Sequence, residues 1–142
     1  MLGIIYSIIA GISMTLQGVF NTRLSDKIGL WETNCLVQGI GFILTLIAVF
    51  TIGSGNIKNI KSANKMYLLG GVLGAIIIYT VMRGIKSLGA TCAIGIILIS
   101  QLSSAGLVDC LGLFNCEPIK FGFTKIAGII IMIVGIIIFK IR

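Results

Sequence analysis

The chain contains five apolar runs, each near the length an α-helix needs to cross a bilayer, separated by short polar connections. A helix crosses ~30 Å of hydrocarbon with roughly 20 residues, and in that layer every backbone N–H and C=O must be satisfied by the chain itself. The runs therefore predict helices at approximately 2–20, 31–53, 67–82, 88–114 and 126–139. Connections of roughly 5 to 14 residues make sequential helices antiparallel neighbours. In a chain of 142 residues these spans leave no length for a soluble domain, so residues 1–142 are expected to form a single transmembrane domain. The alternation that a membrane barrel requires is absent. The expected fold class is an all-α integral membrane protein, a bundle of five transmembrane helices.

Composition narrows function by exclusion. With 57% hydrophobic and 11% charged residues, the chain cannot clothe a soluble enzyme, a secreted disulfide scaffold, a disordered tail or a nucleic-acid-binding module. The net charge of +7 comes from Lys and Arg beside the apolar runs, where long stems carry their charge to the lipid headgroups. The lipid bilayer is thus the expected partner, and nucleic acid is not. The first run starts without a basic leader and ends without a small-residue cleavage site, which predicts a retained span. There is no histidine, and Cys35, Cys92, Cys110 and Cys116 show no CxxC spacing. No metal or cofactor is expected, and the cysteines read as small packing residues.

Orientation follows the excess of Lys and Arg on the cytoplasmic side. One face carries Lys58, Lys61, Lys65, Lys120 and Lys125, and the other carries Arg23, Lys27, Arg83, Lys86, Lys140 and Arg142. Six against five gives insertion little reason to choose. Both orientations, and hence an antiparallel dimer with a two-fold axis in the membrane plane, stand beside the alternative of one dominant loop or a partner subunit that fixes orientation.

Two helices carry polar stripes. In the first, Gly3, Ser7, Gly11, Met14, Gly18 and Asn21 follow steps of three and four with Gln17 beside them, and in the second Asn34, Gln38, Gly41, Thr45 and Ala48 do the same. Carboxamides have no reason to face lipid, so these stripes point at other helices or at a watered cavity. Helix three holds Gly70 with Gly74 and Gly71 with Ala75, pairs that permit close backbone approach. Of the four acids, Asp26, Glu32 and Glu117 sit in connections or at the water boundary, and Asp109 lies inside the fourth run. It reads either as an interfacial charge or as a coupling carboxylate; its own helical face, Leu98, Leu102 and Ala105, is apolar.

Three segments resemble a known family: Gln17-Gly-Val-Phe-Asn21-Thr-Arg-Leu24, Ser100-Gln101 leading to Asp109-Cys-Leu-Gly-Leu-Phe114, and a closing Gly128 to Gly135 stretch. Over essentially its whole length the chain is similar to the small five-span, YdcZ-like branch of the drug/metabolite transporter superfamily. Helices one and three to five also resemble the four helices of the small multidrug resistance exporters, with helix two as an extra span. Those exporters work as antiparallel dimers and exchange protons for cationic drugs or guanidinium through a glutamate in helix one. Counting back from Arg23, the corresponding place here holds Thr15, so the resemblance implies fold, pairing and transport class without that proton mechanism.

The expected function is a small multi-pass transporter subunit of the inner or plasma membrane. It would move a small polar or amphipathic solute by alternating access, as a homodimer or with a closely related, oppositely oriented subunit. The expected solute site is lined by Gln17, Asn21, Asn34, Gln38 and Gln101, with Asp109 as the one intramembrane coupling candidate. A dual-topology ion channel and a non-transporting membrane partner remain open as readings of the same residues. Enzymatic chemistry is not expected, because no nucleophile and base, metal cluster or phosphate loop can be assembled.

Overall fold

A computed structural model describes residues 2–113 and 122–141. Among them are five long helices and no strand: α1 (Leu2–Ile28), α2 (Leu30–Thr51), α3 (Leu69–Leu88), α4 (Ala90–Leu111) and α5 (Phe123–Lys140). All five are long and apolar enough to cross a membrane. Two 3₁₀ turns, Ile57–Ser62 and Lys65–Leu68, fill the connection before α3. Each opens on an asparagine whose side chain caps it: Asn56 accepts from the Lys58 N–H and Asn64 from the Met66 N–H, both at 3.0 Å. Phe114, the expected end of the fourth span, and Cys116, Glu117, Pro118 and Lys120 lie outside the described residues.

The connections differ from expectation at two places. The polar stretch from Asn21 to Lys27, expected to link the first two spans, instead forms the last turns of α1. It contains neither glycine nor proline, and its hydroxyls return to the backbone, Thr22 Oγ1 donating to Gly18 O at 2.7 Å and Ser25 Oγ to Thr22 O at 2.8 Å. The helix stops only at Gly29, which joins α1 to α2 alone. Its φ of 101° and ψ of 162° belong to a region open essentially to glycine, and a Cβ there would overlap the Glu32 carboxylate. Gly89 joins α3 to α4 with the same conformation, φ 79° and ψ 161°.

The chain divides into two compact units after Ser87. In the first, Trp31 stacks on Tyr79 with ring centroids 4.6 Å apart, and Asn34 Nδ2 donates to Ala75 O at 2.8 Å. Residue numbers rise along α2 as they fall along α3, so these helices are antiparallel. On α1, a Cβ at Gly18 would stand 3.0 Å from Val81 and Ile85 side-chain atoms of α3, and Asp26 pairs with Lys86 at 2.9 Å. The unit is therefore an up-down-up arrangement. In the second, α4 packs on α5 through Gly95, where a Cβ would meet Ile136 at 2.8 Å, and α4 ends on Gly112 in the left-handed conformation, φ 60°.

The core is small and inverted relative to a soluble protein. The buried side chains of the first unit are Asn21, Thr22, Ser25, Thr33 and Asn34 with Met82 and Ile85, whereas Ile4, Ile8, Ile12, Phe42 and Leu44 point outward. No span has more than 11% of its apolar window buried, which leaves the outer faces to lipid or to another chain.

Gly29→Ala is expected to destabilise the protein by about 1–2 kcal/mol, the cost of forcing a side chain into positive φ. Gly39→Ala, whose Cβ would meet nothing within 4 Å, should leave the thermal midpoint in detergent unchanged or slightly raised. Equal midpoints for the two variants would contradict the role given to Gly29.

Candidate solute site

The polar centre of the first unit is built close to the Gly29 turn. At ~1.5 Å of rise per residue, Asn34 lies about 7 Å from Gly29 along α2, and Asn21 and Gln38 lie at nearly equal levels, about 12–14 Å away on α1 and α2. Asn21 (6% exposed) and Asn34 (3% exposed) are buried. Gln38, one turn further on the same face of α2, is exposed, but its Nε2 lies 3.6 Å from where a Gly74 Cβ would stand. Glycine at 74 and alanine at 75 thus leave room on α3 for the α2 carboxamides. Gly70 and Gly71, the other members of those small pairs, meet nothing within 4 Å.

The remaining sequence-derived residues stand apart from this centre. Gln17 is exposed on α1. Gln101 is exposed on α4, in the second unit. Asp109 is half-buried in the last turn of α4, and its carbonyl accepts from the Gly112 N–H that caps the helix. Thr15, at the place of the exporters' glutamate, donates its hydroxyl to Gly11 O at 3.0 Å. Among the described residues no group of His, Cys, Asp and Glu is placed to hold a metal.

Sequence reasoning missed three buried polar residues, Thr22, Ser25 and Thr33. The first two fell in a stretch read as connection, although their spacing with Gly18 continues the α1 stripe. Thr33 (0% exposed) returns its hydroxyl to Gly29 O at 2.7 Å, reinforcing the turn. The Asp26–Lys86 and Trp31–Tyr79 contacts were not anticipated either, since nothing local marks partners so far apart in sequence.

The same pattern of burial returns sixty residues later, in register with Gly29 and Gly89. Thr22, Ser25 and Thr33 correspond to Met82, Ile85 and Ala93, all buried; Asn21 and Asn34 correspond to Val81 and Ile94, both half-buried. Helix packing at such positions is satisfied by apolar side chains in the later segment. The earlier segment carries polar side chains at these places. Its most exacting member is Asn34, whose Oδ1 is buried with no hydrogen-bond partner among the described residues. An unpaired buried acceptor costs about 1–3 kcal/mol.

Five helices long and apolar enough to cross a membrane, with a small polar centre in the first unit, define a multi-pass membrane protein. The chain belongs to the family described as "Putative inner membrane exporter, YdcZ", which matches residues 2–138, the YdcZ-like branch of the drug/metabolite transporter superfamily. This is a transporter family, not an enzyme family. The chain is 23% identical over 135 residues to the inner membrane protein YdcZ of Escherichia coli (strain K12), covering 92% of this chain and 89% of that protein. No solved structure matches the chain.

Thr33→Val keeps the shape of the side chain and removes its hydroxyl bond to Gly29 O, so a loss of about 0.5–1.5 kcal/mol is expected in denaturant unfolding. A stability equal to the wild type would show that the hydroxyl contributes nothing to the turn.

Proposed function

We propose that the chain works as one transmembrane domain of an inner or plasma membrane transporter, moving a small polar or amphipathic solute by alternating access in an antiparallel dimer. The observation that carries this reading is the neutral, buried polar centre on α1 and α2 inside an apolar exterior, in a chain of an exporter family. Asn21, Asn34 and Gln38 supply donors and acceptors that replace a solute's hydration, with Gln17 and Gln101 as further contacts as the helices move. Neutral carboxamides do this without trapping the solute, which must also leave. The two-fold partner is a second copy or a closely related subunit in opposite orientation, in keeping with the near-even distribution of Lys and Arg on the two faces. It covers apolar surface that one chain leaves open.

Coupling to protons, where it operates, falls to Asp109. In proteoliposomes, flux of a transported solute should saturate with concentration, and a pH gradient should drive it. Asp109→Asn should abolish the gradient's effect while leaving exchange of solute for solute intact. Undiminished gradient-driven flux in that variant would overturn the assignment of Asp109. Flux that rises linearly at channel-like rates would overturn alternating access in favour of a pore.

A further inference from the structure

Asn34 carries two groups with opposite needs. Its Nδ2 donates to Ala75 O, and since a carbonyl only accepts, this contact fixes which end of the carboxamide is nitrogen. The other end, Oδ1, is therefore an acceptor, buried and without a partner among the described residues. A bare buried acceptor is complementary to a group that brings an N–H or O–H with it, or to a cation that an amide oxygen coordinates.

We infer that Asn34 Oδ1 is the recognition group for a hydrogen-bond-donor solute, and that the site selects small solutes with a free N–H or O–H over fully alkylated or anionic ones of the same size. This deepens the transport reading and rests on it for the claim that the bound solute is the one moved. A carboxylate or phosphate oxygen would face Oδ1 lone pair to lone pair and is rejected. A quaternary ammonium offers no donor, and the acids of the first unit, Asp26 and Glu32, are exposed beside the Gly29 turn. Donation to Oδ1 polarises the carboxamide and strengthens the Nδ2 bond to Ala75 O, so the solute also tightens α2 against α3. Gly74 and Ala75, the small residues of α3 under Gln38 and Asn34, allow that approach.

The test is a titration of the full chain in lipid nanodiscs with its asparagine carboxamides labelled in ¹³C and ¹⁵N. The Asn34 signal is identified by its disappearance in Asn34→Ile, and independently by the correlation of its Nδ2 with the Ala75 carbonyl, which needs no variant. Acetamide and methylammonium are the donor probes; N,N-dimethylacetamide, tetramethylammonium and acetate are the matched controls. The expected result is a saturable shift of the Asn34 carboxamide with both donor probes, at affinities at least about tenfold above those of the controls, the worth of one hydrogen bond. Equal shifts with the methylated partners, or none with any probe, would overturn the inference. Loss of solute flux with the shift intact would defeat the transport reading alone, and intact flux without the shift would defeat this inference alone.

Discussion

The structure depends on one constraint: inside hydrocarbon, a polar group must find its partner within the protein. It explains why the hydroxyls of Ser7, Thr15, Thr22, Thr45 and Thr80 each bond a carbonyl one turn back, and why the buried side chains of the first unit are mostly polar while its exterior is aliphatic. Residues that satisfy themselves in this way are neutral passengers of a helix. Asn34 differs, with Nδ2 bonded to Ala75 O and Oδ1 buried without a partner among the described residues. The functional reading follows from that remainder.

The second organising element is the pair of single-residue turns. Gly29 lets α2 start directly after α1, and the ties between helices gather at its end of the unit: Asp26 with Lys86, Trp31 with Tyr79, Asn34 with Ala75. Toward the other end the glycines meet nothing; Gly3 and Gly11 on α1, Gly39 and Gly41 on α2, and Gly70 and Gly71 on α3 all face open space. Helices joined firmly at one end and loosely at the other can change their spacing at the loose end without breaking the joint. The polar centre sits next to the joint.

Much of the architecture was legible because its cause is local. Five runs near twenty residues long give five helices in the right order, and the segments around Gln17–Leu24 and Ser100–Phe114 point to the correct family. The end of α1 was not legible from polarity, which marks where a helix leaves lipid and not where it stops; the stop is set by Gly29. At the site, the α2 stripe places Asn34 and Gln38 on one face, but sequence could not say that Asn34 is buried and Gln38 exposed, because burial depends on where Gly74 and Ala75 of α3 come to lie. Nor could it separate Gly74, under Gln38, from Gly70, which faces open space. Asp26 and Lys86 become partners only once α1 and α3 run side by side.

The central claim is that the middle of α1 and α2 faces a wet, solute-accessible centre at a depth where other faces meet lipid. It is tested most directly by single cysteines at 38 and at 43 of α2, replacing Gln38 and the outward-facing Ile43, in a version free of native cysteines, reacted in membranes with a water-soluble thiol reagent. The account predicts that the cysteine at 38 reacts and is protected by a transported solute, while the one at 43 stays inert. Equal reactivity at both positions, or none at 38, would contradict it.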